Sequence, residues 1–399
     1  MSIADVLAGY DLKKLTIGVL GGHSALDVCH GVSQYGFRTV VVAKKGRHLT
    51  YQRFKKRVRG ERVHGCIDEI ITVAEFQDIL QPEIQRKLQK MNTIFVHNRY
   101  FWVYFDDFSK VENDFAVPIV GSRTLLKLEE RDGSARLATG QPFNQYDLLR
   151  KAGIRIPKIF KSSKDIDRPV MVKAAEATRS YERAFFVVSS DAEYQNTGVS
   201  LEKEGKVASN WREATIEEFV VGAPVNFNFF YSPLTKELEL LGTDTRRQTN
   251  LDGFLRMTAD QQITALKHVP FKMIETGHIA CTVKESLLEK AFDLGEKFVK
   301  ATRELPPELD PSGPTLPSGL RGAGKGMIGP FALQGAVVAE EGKEDIVIFD
   351  VSLRIPGSPG IAATPYSGYF YGTSMSTGER LGLEIQSAVE QKRLLEIVT

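Results

Sequence analysis

Residues Thr39–Ala43 (TVVVA) present no polar face. A strand of that kind must be buried on both sides, as in a parallel sheet covered by helices. Comparable runs recur at Leu15–Leu20 (LTIGVL), Asp68–Val73 (DEIITV), Thr93–Val96 (TIFV) and Val117–Val120 (VPIV). Between the first two, Ala25–Tyr35 places Leu26, Val28, Cys29 and Val32 near helical spacing. Apolar strands alternating with helices predict βαβ units, so residues 1–125 are expected to form a doubly wound α/β lobe.

The pattern then changes. A helical stretch containing Glu129–Lys151 is expected, closed by Lys151-Ala152-Gly153, a good helix stop. Arg168–Lys173 (RPVMVK) reads as a strand ending on a lysine, and Glu217–Val221 (EEFVV) as another. Val225–Tyr231 and Glu237–Thr243 flank a Ser232-Pro233 turn and read as antiparallel neighbours in a different sheet. An amphipathic helix is expected over Leu287–Glu304, a Pro/Gly-rich flap over 305–329, strands at Phe331–Ala339 and Ile346–Val351, and a last helix near Ser376–Gln391. The expected division is 1–125, 126–222 and 223–399.

A formal charge of +2 argues against a nucleic-acid or membrane-surface binder. The basic stretch Lys44–Arg62 reads as a solvated face or as a surface that greets an anionic ligand. Cys29, Cys66 and Cys281 lie far from metal-ligand spacing, and so sparse a set suits a reducing cytosol. The N-terminus lacks a signal-peptide pattern, and no run nears the ~20 apolar residues that span a bilayer. A soluble cytoplasmic protein is expected.

Several clusters carry possible chemistry. Gly21-Gly22-His23-Ser24 follows the first strand and opens a helix, where free N–H groups favour a phosphate. The alternative is a tight turn capped by Ser24. Arg99, in His97-Asn98-Arg99, follows another strand of that sheet; it either clamps a phosphate or pairs with Asp106-Asp107. Lys173 suits a nucleotide phosphate, and Glu217-Glu218 a purine amino group or ribose hydroxyls. Arg246, Arg247 and Asn250 form either a phosphate site or a solvated hairpin end. Gln334 and Asp350 lie on successive apolar strands, where a carboxylate can hold Mg²⁺ against ATP phosphates. Arg354 then meets the transferred phosphoryl group or an acyl phosphate. Gly319–Lys325 matches the spacing of a phosphate-binding P-loop, but it lacks the preceding strand and the following Ser or Thr.

In this order the segments GGHSALDVCHG, GIRIPKIF, IDRPVMVK, EEFVVGAPV, FFYSPLTKELELLGTDTRR, GPFALQG and IVIFDVSLRIPG resemble the archaeal formate-dependent AICAR ligases (FAICAR synthetases) over nearly the whole chain. The resemblance implies a pre-ATP-grasp lobe, a doubly wound parallel sheet, followed by a two-lobed ATP-grasp fold of α/β and α+β character that pinches ATP between antiparallel sheets. It implies ATP- and formate-dependent formylation of AICAR to FAICAR in purine (IMP) biosynthesis, through formyl phosphate, with Mg²⁺ or Mn²⁺. It also implies a homo-oligomer. Carried over, His23, Ser24, Arg247 and Asn250 would meet the nucleotide substrate. Lys173, Glu217, Glu218 and Val220 would meet ATP, and Gln334 and Asp350 would face the metal.

Four features depart from the family pattern. Residues 174–186 (AAEATRSYERAFF) contain no glycine where the family has a glycine-rich loop; Arg179 and Arg183 offer charge in its place. Arg99 stands where the family has a small serine, Asp350 where glutamate is usual, and the flap Pro306–Gly326 is long. These departures leave two alternatives: a paralogous ligase for another acid–amine pair, or a nucleotide-binding paralogue without turnover.

Overall fold

The computed structural model describes residues 3–105, 107–129, 135–175, 177, 184–269, 272, 274–305, 309, 326–340 and 342–399. The Gly319–Lys325 motif, Arg179, Arg183 and most of the Pro306–Gly326 flap lie outside them.

The apolar runs form a five-stranded parallel sheet in the order Glu69–Val73, Arg38–Lys44, Thr16–Leu20, Thr93–Val96, Ile119–Val120. Val40, Val41 and Val42 are fully buried, as an all-apolar central strand requires. The chain winds outward from Thr16–Leu20 in one direction, then returns to its other side with Thr93–Val96. The order therefore reverses between these two strands, and in open α/β sheets ligands bind at such a switch point, beyond the carboxyl ends.

One face of this lobe is closed by the far end of the chain. Helix Thr377–Glu390 packs on helix Ala25–Ser33 at a glycine contact: a Cβ on Gly31 would lie 2.0 Å from the backbone of Gly378. Ile119 and Thr399 exchange backbone hydrogen bonds of 3.0 and 2.8 Å, so the C-terminus extends the sheet's edge.

A four-stranded antiparallel sheet follows, in the order Phe185–Val188, Val170–Lys173, Thr215–Glu218, Ile159–Phe160. A larger antiparallel sheet has the order Glu275–Cys281, Glu237–Gln248, Ala223–Ser232, Gly329–Glu340, Lys343–Ser352. Helix Glu285–Arg303 covers it through Ala291, Phe298 and Val299, which pack with Phe229 and Phe331.

In place of the expected helix containing all of Glu129–Lys151, the described residues form only Gln145–Lys151 as helix, after a short turn of 3-10 helix at Leu125–Glu129. Its start is fixed by Asn144, whose side chain accepts from Tyr146 N–H while Asp147 reaches back to the Asn144 N–H. Gly140 and Pro142 hold the preceding stretch in a turn. The basic stretch becomes helix His48–Arg53 and an exposed hairpin, Arg57–Arg59 with Arg62–His64. Among the described residues, no helix is long and apolar enough to cross a membrane.

Candidate active site

At the switch point of the parallel sheet, two loops meet the large antiparallel sheet. Asn98, fully buried, ties the loops together by donating to the carbonyls of Leu20 at 2.9 Å and His23 at 3.3 Å. This brings His23 and Arg99 to one wall of a cavity, facing Arg246, Gln334, Asp350 and Arg354 on the other. Ser24 takes a left-handed conformation, φ 61°, and makes no cap. Its hydroxyl instead donates to the Pro356 carbonyl, joining the first loop to the segment that carries Arg354. His23 lies against Gly357, where a Cβ would be 1.8 Å from its Cε1.

The opposite wall rests on Asp244, which is 1% exposed. Asn226 and Asn228 each donate to it at 2.7 Å, and His278 Nδ1 lies 2.5 Å away. His278 Nε2 meets Glu275 at 3.1 Å. Burial works to lower the His278 pKa, but the hydrogen bonds and charges of Asp244 and Glu275 outweigh it and raise it to about 9. His278 is therefore a cation at neutral pH. Burial works to raise the Glu275 pKa; the His278 hydrogen bond and the Arg246 charge bring it down to about 2. His23, across the cavity, is pushed down to about 3 by burial first and then by the charge of Arg354.

Beside the cavity lies a second cluster. Lys173 and Glu217 form a buried ion pair at 2.6 Å, and Tyr146 donates to Glu217. The lysine also donates to Tyr146 at 2.8 Å and to the Phe349 carbonyl at 3.0 Å. The two last strands shift register here: Gln334 faces Asp350, but Gly335 faces Ile348. Such a bulge re-aims side chains, and it leaves Asp350 toward the cavity and the Phe349 carbonyl toward Lys173. Gln145 pins the same strand by accepting from Val351 N–H at 2.9 Å. The lysine of one sheet thus meets the strand of the other that carries the carboxylate, one residue before Asp350.

The family described as "Protein of unknown function (DUF1246)" matches residues 17–160, and the "Domain of unknown function (DUF1297)" matches 193–313 and 319–399. The chain is 35% identical to 5-formaminoimidazole-4-carboxamide-1-(beta)-D-ribofuranosyl 5'-monophosphate synthetase of Methanothermobacter thermautotrophicus, covering 100% of this chain and 98% of the relative. It is 33% identical to the synthetase of that name from Methanopyrus kandleri, with the same coverages. The chain belongs to the FAICAR synthetase family. The IMP biosynthesis protein PurP from Thermococcus kodakaraensis superposes with a TM-score of 0.65 at 23% identity, over 96% of this chain and 100% of that one. An N5-carboxyaminoimidazole ribonucleotide synthetase, solved as its ADP complex, gives 0.54 at 12% identity, over 91% of this chain and 78% of that one. The fold is ATP-grasp, preceded by a parallel-sheet lobe.

Within this FAICAR synthetase fold, the residues singled out in the sequence fall in three places. His23, Arg99, Gln334, Asp350 and Arg354 line the cavity. Arg99 forms no ion pair among the described residues, and Asp107 instead accepts from Ser109. Lys173 and Glu217 lie in the neighbouring cluster. Half-buried Val220 follows them in the segment that crosses to the large sheet. Glu218 faces outward and pairs with Arg168 at 3.2 Å. Arg247 and Asn250 are not brought in: Arg247 pairs with Asp252 at 3.5 Å, and Asn250 accepts from Lys272 N–H at 2.8 Å. Strand alternation sends Arg246, not Arg247, to the cavity.

Glu129, Glu275, His278 and the two asparagines were not singled out. Asn226 and Asn228 did leave a signal: two amides at period two in an otherwise apolar strand mark one polar face. Glu275 and His278 left none, since their strand (ETGHIAC) has no apolar alternation.

Gln334 and Asp350 supply oxygen donors, the kind magnesium takes. No group of three or more His, Cys, Asp or Glu is gathered for a metal among the described residues. A cation held here would take its remaining ligands from phosphates and water, the usual arrangement for nucleotide-bound magnesium.

Proposed function

We infer that the chain formylates AICAR, using ATP and formate. A formate oxygen attacks the γ-phosphorus of ATP, releasing ADP and forming formyl phosphate. The 5-amino group of AICAR then attacks the formyl carbon and expels phosphate, giving FAICAR. The observation that carries this is Lys173 held against the strand of Asp350, beside a cavity lined by Arg246, Arg354 and Asp350, in a member of this family.

The chemistry asks mainly for positioning and charge neutralisation. Lys173, oriented by Glu217 and Tyr146, neutralises nucleotide phosphate, while Val220 and Glu218 border the base and ribose. Arg354 meets the transferred phosphoryl group. His23, Ser24 and Arg99 form the wall against the ribonucleotide, with Arg246 in the part that the sequence assigned to Arg247 and Asn250. Mg²⁺ or Mn²⁺ at Gln334 and Asp350 would supply charge neutralisation on the phosphates. The working division is 1–125, 126–222 and 223–399, with the last segment returning to cover the first lobe. A cytoplasmic homo-oligomer completes the proposal.

Purified protein is incubated with ATP, Mg²⁺, formate and AICAR, and FAICAR and ADP are separated by chromatography. Product that requires both ATP and formate is expected. Folded protein that makes none removes the proposal. Arg99, a cation where the family carries a small serine, favours one second reading: a different carboxylic acid as acyl donor. Replacing formate by other small carboxylates in the same assay separates the two.

A further inference from the structure

Arg246 stands where a metal ion would. Its Nη2 donates to Gln334 Oε1 and lies 3.8 Å from Asp350 Oδ2. These are the two oxygen donors that face each other across the last strand pair. A guanidinium stays charged at any accessible pH, so a divalent ion entering here meets a fixed like charge at close range. Arg99 lines the same cavity and adds to that barrier, while the charge of Arg354 is offset by Glu129 at 3.5 Å. A bare cation is therefore opposed. One arriving with nucleotide phosphates brings compensating negative charge.

The arginine also has a second berth. Its Nε is 3.4 Å from Glu275 Oε2. Glu275 is held from behind by His278 at 3.1 Å, and His278 by Asp244 at 2.5 Å. A chain of hydrogen bonds running from buried Asp244 out to exposed Glu275 thus keeps a carboxylate ready for the guanidinium.

We propose that Arg246 is a resident counter-cation that closes the Gln334–Asp350 pair to bare divalent metal and moves wholly onto Glu275 when metal enters with nucleotide. This rests on the proposal that Gln334 and Asp350 hold the metal. The consequence is that the site loads the metal–nucleotide complex rather than the ion followed by the nucleotide.

The test uses the full chain and Mn²⁺ as probe. Unbound Mn²⁺ is read by electron paramagnetic resonance, with and without a non-hydrolysable ATP analogue, subtracting analogue alone. In the wild type, binding is expected only with the analogue. Arg246→Gln is expected to bind Mn²⁺ without nucleotide more tightly by roughly 5- to 150-fold, the usual range of coupling between sites. Arg246→Lys, which keeps the charge, is expected to retain the exclusion. Glu275→Gln removes the second berth and is expected to weaken binding with the analogue. Asp350→Asn separates the two layers of the argument. If it abolishes analogue-dependent binding while Arg246→Gln matches the wild type, the metal pair stands and the counter-cation idea is overturned. If Asp350→Asn still binds, the metal lies elsewhere and both fall. Should Arg246→Gln lose its near-ultraviolet circular dichroism, Glu275→Gln decides: unchanged binding there also overturns the proposal.

Discussion

The two walls of the cavity are built in opposite ways. On the large-sheet wall, hydrogen bonds of 2.5 and 3.1 Å join Asp244, His278 and Glu275, and Arg246 pairs with Glu275 at 3.4 Å, although the Arg246 Nε makes no hydrogen bond. On the parallel-sheet wall, His23 has a buried Nδ1 with no hydrogen-bond partner, and Arg99 has no ion pair among the described residues. Polar groups buried without partners are costly, so they persist mainly where a ligand completes them. The contrast suggests a division of labour: one wall is preorganised, and the other waits for substrate.

The comparison breaks most visibly if its keystone is removed. Asp244→Ala strands a buried imidazolium and two buried amides. Taking one partner from a buried ion pair costs roughly 3–5 kcal/mol, so the variant is expected to lose a large part of its stability. Urea unfolding followed by fluorescence measures this. A loss near that of an exposed carboxylate would mean the wall is not one network.

The waiting wall is tested at Gly357. A methyl group there would sit 1.8 Å from His23 Cε1 and push the ring out of place. A misplacement near 1 Å can cost about 10²-fold in rate. Gly357→Ala is thus expected to raise KM for the ribonucleotide and lower kcat/KM by about that factor, with little change in melting temperature. Unchanged kinetics would remove His23 from the site.

The histidines give the two walls opposite pH slopes. His278 has a folded pKa of about 9 against an ordinary 6.5. The folded state therefore holds its proton more tightly, and the stability it adds is complete below pH 6.5 and lost as pH rises toward 9. His23 is depressed to about 3. The unfolded chain takes up that proton first, so its contribution is present above 6.5 and lost as pH falls toward 3. His278→Gln is expected to melt below the wild type at low pH and to approach it as pH rises toward 9, whereas His23→Gln is expected to gain on the wild type as pH falls from 6.5 toward 3. Melting-temperature differences that move the same way with pH for both variants would contradict the assigned charges.

The legibility of the sequence divides along the same line. The parallel lobe announced itself because burial on both faces leaves a continuous apolar record: TIFV is the strand Thr93–Val96, residue for residue. The last helix was readable from Ser376, whose side chain caps it with Glu379 reaching back. His23 and Arg99 were found because they follow such strands. Glu275 and His278 were not, because they sit on an outer strand with no apolar rhythm, although both line the cavity. Networks assembled from distant segments leave no local pattern.

Arg246 and Arg247 make the smallest and sharpest test, since adjacent residues on one strand face opposite sides. The ordered similarity to the family pointed to Arg247, but spacing alone cannot assign the face of a strand whose pairing shifts at that residue. Arg247 is 56% exposed and meets Asp252, 35% exposed, at 3.5 Å. Exposed pairs of this kind contribute about 0–1 kcal/mol. Arg247→Ala is expected to leave kcat and KM within about twofold of wild type, a difference worth only a few tenths of a kcal/mol. Arg246→Ala, one residue away, is expected to lower kcat by about 10²-fold, in the range seen for loss of one charge-stabilising donor. Steady-state kinetics on the two variants under one protocol decides the matter, and equal effects would mean that the strand does not present Arg246 alone to the reacting groups.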